Sequence, residues 1–551
     1  MEMRDLFTRP IRATRGLRRM TMEPSRALSR RDLFALIGAS AGGAAMYQAM
    51  TSLGFAAESP YRGPIKLEGD PKGASVVILG AGLAGMTAAI ELGRAGYKVQ
   101  ILEYNSRAGG RNWSLRGGDD YTELGGATQH CAFDEGLYLN PGPWRIPYHH
   151  HALLNYCRRF GVTLEPFIQL NHNAYLHGAK AFGGKPQRIR EVKADFEGGI
   201  AELLAKATRQ GALDEAVSRE DKEILLVALR VHGGLDEDFR YKAGDESAEF
   251  RGYARDPGGG LGAEPVNGEP IGMHDILTSR LWRGLQSFLS YDFQTTMFQP
   301  VGGMGRIGEA FARQLPNAIR YGAKVTGIRQ DEHGVAVAFE DINRGGAVEE
   351  VKADWCVCAL PLTILSQLPL NVSAPMKAAI DAVPYSSSVK IGLQFRRRFW
   401  EEDEHIFGGI SYTDLPIRQI SYPSTGYNSG GKGVLLGAYV WNGPNAYELT
   451  AMSPDERIKL ALEYGAQIHP QYRAEFETGV SVAWHRVPFI LGCAGDWTEA
   501  TRAEHYDNLC QIDRRIVLAG EHASYIPAWQ EGAILSALDA IARLHKRVLA
   551  A

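Results

Sequence analysis

The sequence predicts an α/β fold, in which parallel strands alternate with helices, on three observations. A short Val- and Ile-rich run from Ala74 to Gly80 reads as a buried strand. It runs into three glycines, Gly80, Gly82 and Gly85, at the start of an apolar-periodic helix from about Leu83 to Ala95, which Gly96 ends. A second strand, Tyr97 to Glu103, follows at once and finishes on an acid. Strand, glycine turn, helix and strand in that order make a βαβ unit with two parallel strands. At 551 residues the chain exceeds what one hydrophobic core usually supports, so about two to four domains are expected.

The residues ahead of this unit have a different character. Arg18, Arg19, Arg26, Arg30 and Arg31 precede a nearly uncharged Gly/Ala-rich stretch from Leu33 to Ala57, the layout of an export signal. Within it, Ser29-Arg30-Arg31-Asp32-Leu33-Phe34 resembles a twin-arginine signal, and Gly54 to Ala57 offers small residues for cleavage. Residues 1–57 are therefore expected to be a signal peptide and 58–73 a Pro/Gly/Lys linker. A periplasmic or secreted protein follows, with the twin-arginine export machinery as a partner. That machinery carries folded proteins, which suits a cofactor loaded before export.

Beyond the βαβ unit, 194–216 and 220–231 read as helices, followed by a Gly/Pro/acid-rich stretch from Gly233 to Pro270 expected to be a loop insertion or lid. Strands are expected at 323–330, 335–339, 355–360, 389–395, 433–441 and 515–519, and a last helix from about Gly532 to Arg547. With 45% hydrophobic residues, 22% charged residues and a formal net charge of -3, neither disorder nor a nucleic-acid partner is expected. The six cysteines are sparse and lack zinc-like spacing, so they read as buried thiols with no metal.

The glycine loop carries the first chemistry. In Val76-Val77-Ile78-Leu79-Gly80-Ala81-Gly82-Leu83-Ala84-Gly85, the first glycine permits the tight turn, and the second admits a pyrophosphate to the backbone. The third lets helix pack on strand, and the helix N-terminus then faces the phosphates. Glu103, at the end of the next strand, is placed to accept ribose hydroxyls. This much fits NAD and FAD equally.

The next residues separate the two. Glu103-Tyr104-Asn105-Ser106-Arg107-Ala108-Gly109-Gly110-Arg111 resembles the E-x-x-x-R-x-G-G-R signature of the flavin amine oxidase superfamily, which includes monoamine oxidases and L-amino-acid oxidases. The resemblance extends over nearly all of the exported chain and is nearest to bacterial twin-arginine-exported L-amino-acid oxidases. It implies FAD, with Arg107, Gly110 and Arg111 along the pyrophosphate. It also implies that Glu123-Leu124-Gly125-Gly126-Ala127 approaches the flavin ring through Gly126 and Ala127, and that Phe298 to Met304 is the turn re-entering the cofactor domain. Val325 would meet adenine through its backbone, and Gly520 and Glu521, in Gly520-Glu521-His522, would lie at the diphosphate or ribitol. Lys390 matches a lysine that holds a water beside the reactive flavin nitrogen, and Trp529 an aromatic that walls the substrate. Cys493 falls near the residue that monoamine oxidases bond to FAD, but Ala494 replaces the aromatic that follows there, which implies non-covalent FAD.

Recognition of a carboxylate separates amino-acid oxidases from simple amine oxidases. Gly142-Pro143-Trp144-Arg145-Ile146-Pro147 resembles the G-P-x-R-x-P segment of L-amino-acid oxidases, which makes Arg145 the expected carboxylate ligand. A guanidinium can grip both oxygens and fix the α carbon. His149-His150-His151 reads as the start of a helix, because adjacent helical residues do not converge on one ion.

The matched motifs interleave two domains. Residues 72–140, 297–370 and 480–551 are expected to form a Rossmann-like FAD domain, and 141–296 with 371–479 an α+β substrate domain. The implied activity is oxidative deamination of an L-amino acid, with hydride passing to FAD and O2 reduced to hydrogen peroxide, leaving a 2-oxo acid and ammonia. A monoamine or polyamine oxidase, an amino-acid 2-monooxygenase and a flavin-binding protein without turnover are the alternatives. A homodimer remains open.

Overall fold

Strand β1 (Ser75–Leu79), helix α1 (Leu83–Arg94) and strand β2 (Lys98–Glu103) form the βαβ unit in a computed structural model that describes residues 59, 61–213, 217–286, 290–293 and 296–550. The expected signal peptide lies outside the described residues. Val76 to Leu79 are all fully buried, which is why this run reads apolar throughout instead of alternating. β1 pairs in parallel with β2 on one side, Val76 against Val99, and with Trp355–Cys358 on the other. Ile319–Tyr321 extends the sheet beyond β2, Ile516–Leu518 beyond Trp355–Cys358, and an antiparallel edge strand, Ile512–Asp513, closes it. The last helix, Gln530–Leu549, packs on α1.

A seven-stranded sheet forms the second layer system, in the order Gln187–Arg188, Tyr175–His177, Ile410–Thr413, Gln419–Ser421, Gly433–Trp441, Ser388–Phe395, Phe476–Ala483. Ser388–Phe395 lies inside it, antiparallel to both neighbours, and all eight of its residues are buried. A three-stranded antiparallel sheet, Ala323–Gln330 with Val335–Asp341 and Ala347–Ala353, follows directly on Ile319–Tyr321. The chain crosses from one large sheet to the other and back.

The middle of the chain differs from its sequence reading in two places. The helix expected over 194–216 runs Ile189–Arg209, since the apolar positions Ile189 and Val192 already belong to its buried face. The stretch 233–270, expected to be a loop insertion or lid, contains a helix, Asp245–Arg251, and a hairpin of Tyr253–Arg255 with Val266–Asn267. Asp195, buried in Ile189–Arg209, accepts from Arg251 Nε at 2.9 Å, Tyr241 OH at 2.7 Å and Ile271 N at 2.8 Å. A buried carboxylate with that many donors holds the segment down, and a composition rich in turn formers does not reveal so long-range a tie. All six cysteines are free, four of them buried.

Candidate active site

The glycine loops pack on each other. Gly109 N donates to Ala81 O at 2.8 Å, and a Cβ on Gly110 would lie 3.2 Å from Gly82 Cα. A Cβ on Gly85 would sit 2.0 Å from Gly80 O, so only glycine lets α1 seat on the turn. A Cβ on Gly82 would meet nothing within 4 Å, and α1 begins there with no side-chain cap and no acid in its first turn. Open space at an uncapped helix N-terminus fits a pyrophosphate. Glu103 accepts from Ala81 N at 2.6 Å and from Asn105 N and Nδ2 at 2.8 Å. Three donors leave room for one more on a carboxylate that accepts about four, which fits a ribose hydroxyl.

The two glycines make separable expectations. Gly85→Ala should destabilise the fold by about 1–3 kcal/mol through overpacking, read as a lower melting temperature. Gly82→Ala should melt like the wild type and bind FAD more weakly, read by titration of the apoprotein. Equal effects of the two on melting would mean that Gly82 is not open to a ligand.

Arg107 donates to Gly110 O at 2.8 Å and lies over Trp113, 4.3 Å from the ring centroid; burial pushes its guanidinium down to about 10. Arg111 donates to Cys493 O at 2.8 Å and to Glu521 Oε1 at 2.7 Å. Glu521 also accepts from Gly495 N at 3.2 Å and from Ala528 N at 3.0 Å, next to Trp529. Burial alone would raise the Glu521 carboxyl, but Arg111, His522 and the Ala528 N–H together hold it below its usual range. Gly520, at a φ of 150°, makes the turn that delivers Glu521 from the end of Ile516–Leu518. Val325, in the strand Ala323–Gln330, is buried with Leu102, four residues past the Tyr321 that pairs with Glu103.

Asn140 to Arg145 crosses between this group and the seven-stranded sheet. A Cβ on Gly142 would fall 2.0 Å from Arg111 O, and Trp484 Nε1 donates to Pro141 O at 2.8 Å. Lys390 Nζ donates to Gly142 O and, at 3.3 Å, to Asn140 O. It is held between Trp144 and Tyr439, at 4.8 Å and 4.6 Å from their ring centroids. Lys390 and Tyr439 pair across neighbouring strands, so their side chains rise from the same face. Burial pushes the Lys390 amine down to about 7, with the nearby Cys493 opposing and Arg145 reinforcing the shift. Burial likewise pushes the Cys493 thiol up to about 12.

Arg145 is 7% exposed and donates to Gln169 Oε1 at 3.0 Å, while its Nε has no partner. Its guanidinium lies over Trp144 at 4.8 Å and Phe293 at 4.3 Å. Among the described residues no carboxylate forms an ion pair with it, and burial lowers its pKa. Phe293 in turn faces Trp529 at 6.4 Å, and His150 meets Trp529 edge-on at 4.9 Å. The His150 Nε2 is buried without a partner, and burial, then His149 and His151, hold the ring neutral. His151–Arg159 is a helix with His150 at its N-cap, and the buried Glu531 carboxylate receives its first N–H groups, Ala152 at 3.0 Å and Leu153 at 2.8 Å.

Contacts thus run unbroken from Gly82 through Arg111, Gly142 and Lys390 to Arg145 and Trp529. Gly126 and Ala127, expected to approach the flavin ring, are not part of them. They form the exposed turn of a hairpin, Asp120–Thr122 with Thr128–His130. Glu123 is drawn away to a fully buried ion pair with Arg457, and Leu124 N donates to Arg486 O at 2.9 Å. Gln169, Phe293 and Tyr439 went unread in the sequence. Tyr439 lay in a strand that was read, but the register that sets it beside Lys390 is not a local signal.

The family model described as flavin containing amine oxidoreductase matches residues 83–545. An L-amino-acid oxidase of Siganus canaliculatus is 30% identical over 481 residues, covering 86% of each chain. A putative L-amino-acid oxidase of Bacillus subtilis (strain 168), YobN, is 28% identical over 84% of this chain and 93% of its own. Among solved structures, a variant of putrescine oxidase superposes with a TM-score of 0.56 at 16% identity, over 87% of this chain and 99% of its own. Cyclohexylamine oxidase from Brevibacterium oxydans IH-35A superposes with a TM-score of 0.54 at 15% identity, over 86% and 98%. At such identities the superpositions speak for the fold alone.

Proposed function

Starting from the chain's membership of the flavin-containing amine oxidoreductase family, we propose that it oxidises an L-amino acid to a 2-oxo acid, ammonia and hydrogen peroxide. FAD is the cofactor; the Gly80–Gly85 turn, Glu103 and Arg111 would hold it, and when bound it would supply a two-electron acceptor that O2 can reoxidise. Arg145 binds the substrate carboxylate, and Trp529, Phe293 and Trp144 close the pocket against water. The amine enters neutral. Loss of the α hydrogen as hydride leaves an imine, which water hydrolyses to the 2-oxo acid and ammonia. Lys390 holds the Asn140–Arg145 loop by its carbonyls, and in its charged form it has a third N–H that would serve a water.

The observation that carries this reading is the buried guanidinium of Arg145, with an unpartnered Nε and an amide as its one side-chain acceptor among the described residues. A buried cation left in that state costs stability unless a ligand anion completes it. The names of the Siganus canaliculatus and Bacillus subtilis relatives agree with it. Purified yellow protein given a panel of L-amino acids and the matching decarboxylated amines, with peroxide detection, tests it. Peroxide from the amines alone would make it an amine oxidase, carbon dioxide with an amide product a monooxygenase, and no bleaching on anaerobic addition a binding protein. We further propose export through the twin-arginine route, on the Ser29 to Phe34 motif, checked by fractionation of cells carrying Arg30→Lys with Arg31→Lys.

A further inference from the structure

The most deeply buried arginines among the described residues are Arg145, Arg251, Arg398 and Arg457, at 7%, 6%, 4% and 0% exposure. All but Arg145 meet a buried carboxylate: Arg251 pairs with Asp195, Arg398 with Glu401 and Arg457 with Glu123. Arg145 meets an amide instead, donating to Gln169 Oε1 at 3.0 Å. That amide is itself held in place. Arg145 precedes Ile146–Pro147 and Gln169 follows Leu164–Phe167, strands that pair with the two edges of Met297–Pro300. Ile168 N donates to Ser424 Oγ at 3.0 Å and Ile168 O accepts from Gly409 N at 3.0 Å, which pins the backbone beside Gln169. Gln169 is 2% exposed.

We propose that Gln169 is a positioning residue that sets the site's preference for an anionic substrate, by holding the Arg145 fork through a neutral acceptor that leaves its charge for the ligand. The inference rests on the reading of Arg145 as the carboxylate ligand. Glutamate has the same length and shape as glutamine and differs at the one atom that matters here. Placed at 169, it would neutralise the guanidinium from within the chain, as the carboxylates do for the other buried arginines. It would also set a second negative charge beside the substrate's own carboxylate, and like charges in a buried site oppose binding strongly. The pocket would then favour the decarboxylated amine, which brings no acid to the guanidinium. A neutral acceptor orients the cation without satisfying it, which an acidic one cannot do.

Benzoate, a carboxylate with no amine to oxidise, tests the proposal when titrated into the FAD-loaded protein and followed by the flavin absorption bands. The wild type should bind it. Gln169→Glu should bind it roughly tenfold or more weakly and shift the ratio of kcat/KM, amino acid over matching amine, by a similar factor toward the amine. The same variant should melt no lower than the wild type, because the buried cation gains a partner. Gln169→Leu removes the acceptor without adding a charge, so it should weaken benzoate less than Gln169→Glu and keep the preference for the acid. Equal losses in the two variants, an unchanged benzoate affinity in Gln169→Glu, or a Gln169→Glu that melts below the wild type would overturn the proposal. A wild type that binds no benzoate and favours amines would instead overturn the carboxylate reading of Arg145, which tells the two failures apart.

Discussion

Replacing Arg145 by Ala should lower kcat/KM for L-amino acids by roughly 10²–10⁴-fold and leave the matching decarboxylated amines nearly unaffected. The size follows from two charge-assisted hydrogen bonds to one carboxylate, each about 1.5–3 kcal/mol, at about 1.4 kcal/mol per factor of ten. The selectivity follows from burial. Arg145 is stacked on Phe293 and Trp144 and cannot turn to solvent when the ligand lacks an acid, so an amine leaves it unpaired in the wild type and gains nothing from it. Arg145→Lys should recover little, since a point charge on a flexible stem does not reproduce the planar fork held by Gln169 and the rings. Steady-state kinetics on matched pairs of substrates measure both terms. Losses of equal size on acid and amine would mean that Arg145 supports the pocket and recognises no carboxylate.

How much of this was legible depends on the range of the interaction. The βαβ unit was plain because every determinant lies within Ser75 to Glu103: an apolar run, glycines at fixed spacing, and an acid at the strand end. The role of Gly85 was readable for the same reason, as one Cβ against one carbonyl five residues away. The placing of the hairpin that carries Gly126 and Ala127 was not legible, because it is set from a distance. Arg457, more than three hundred residues on, takes Glu123 into a fully buried pair at the foot of the turn. Arg145 was picked out by its local motif, yet what makes it suited to an anion comes from elsewhere: Gln169, Phe293 and the Lys390 anchorage of Gly142. Local patterns name such residues, and long-range packing sets their environment.

Lys390→Met should lower kcat/KM for O2 roughly 10²-fold, at the low end of what a positioned proton donor supplies, with a smaller effect on the amino acid. Oxygen gains negative charge as it is reduced, and a cation fixed between Trp144 and Tyr439 in a dry site stabilises that charge without reorganising. The amine is pushed down to about 7, so it is charged below that pH and neutral above it. The wild-type O2 term should therefore fall as pH rises through about 7, and the Met variant should be flat. Stability runs the other way. An unfolded lysine titrates near 10.5, so between about 7 and 10.5 the unfolded chain binds the extra proton and the cost of burying the charge fades as pH rises. Removing that buried cation should thus raise the melting temperature most below pH 7, less the two hydrogen bonds to Asn140 and Gly142. Those bonds supply the contrary outcome: if the amino-acid term falls and the O2 term holds, Lys390 acts only by seating the loop that carries Arg145.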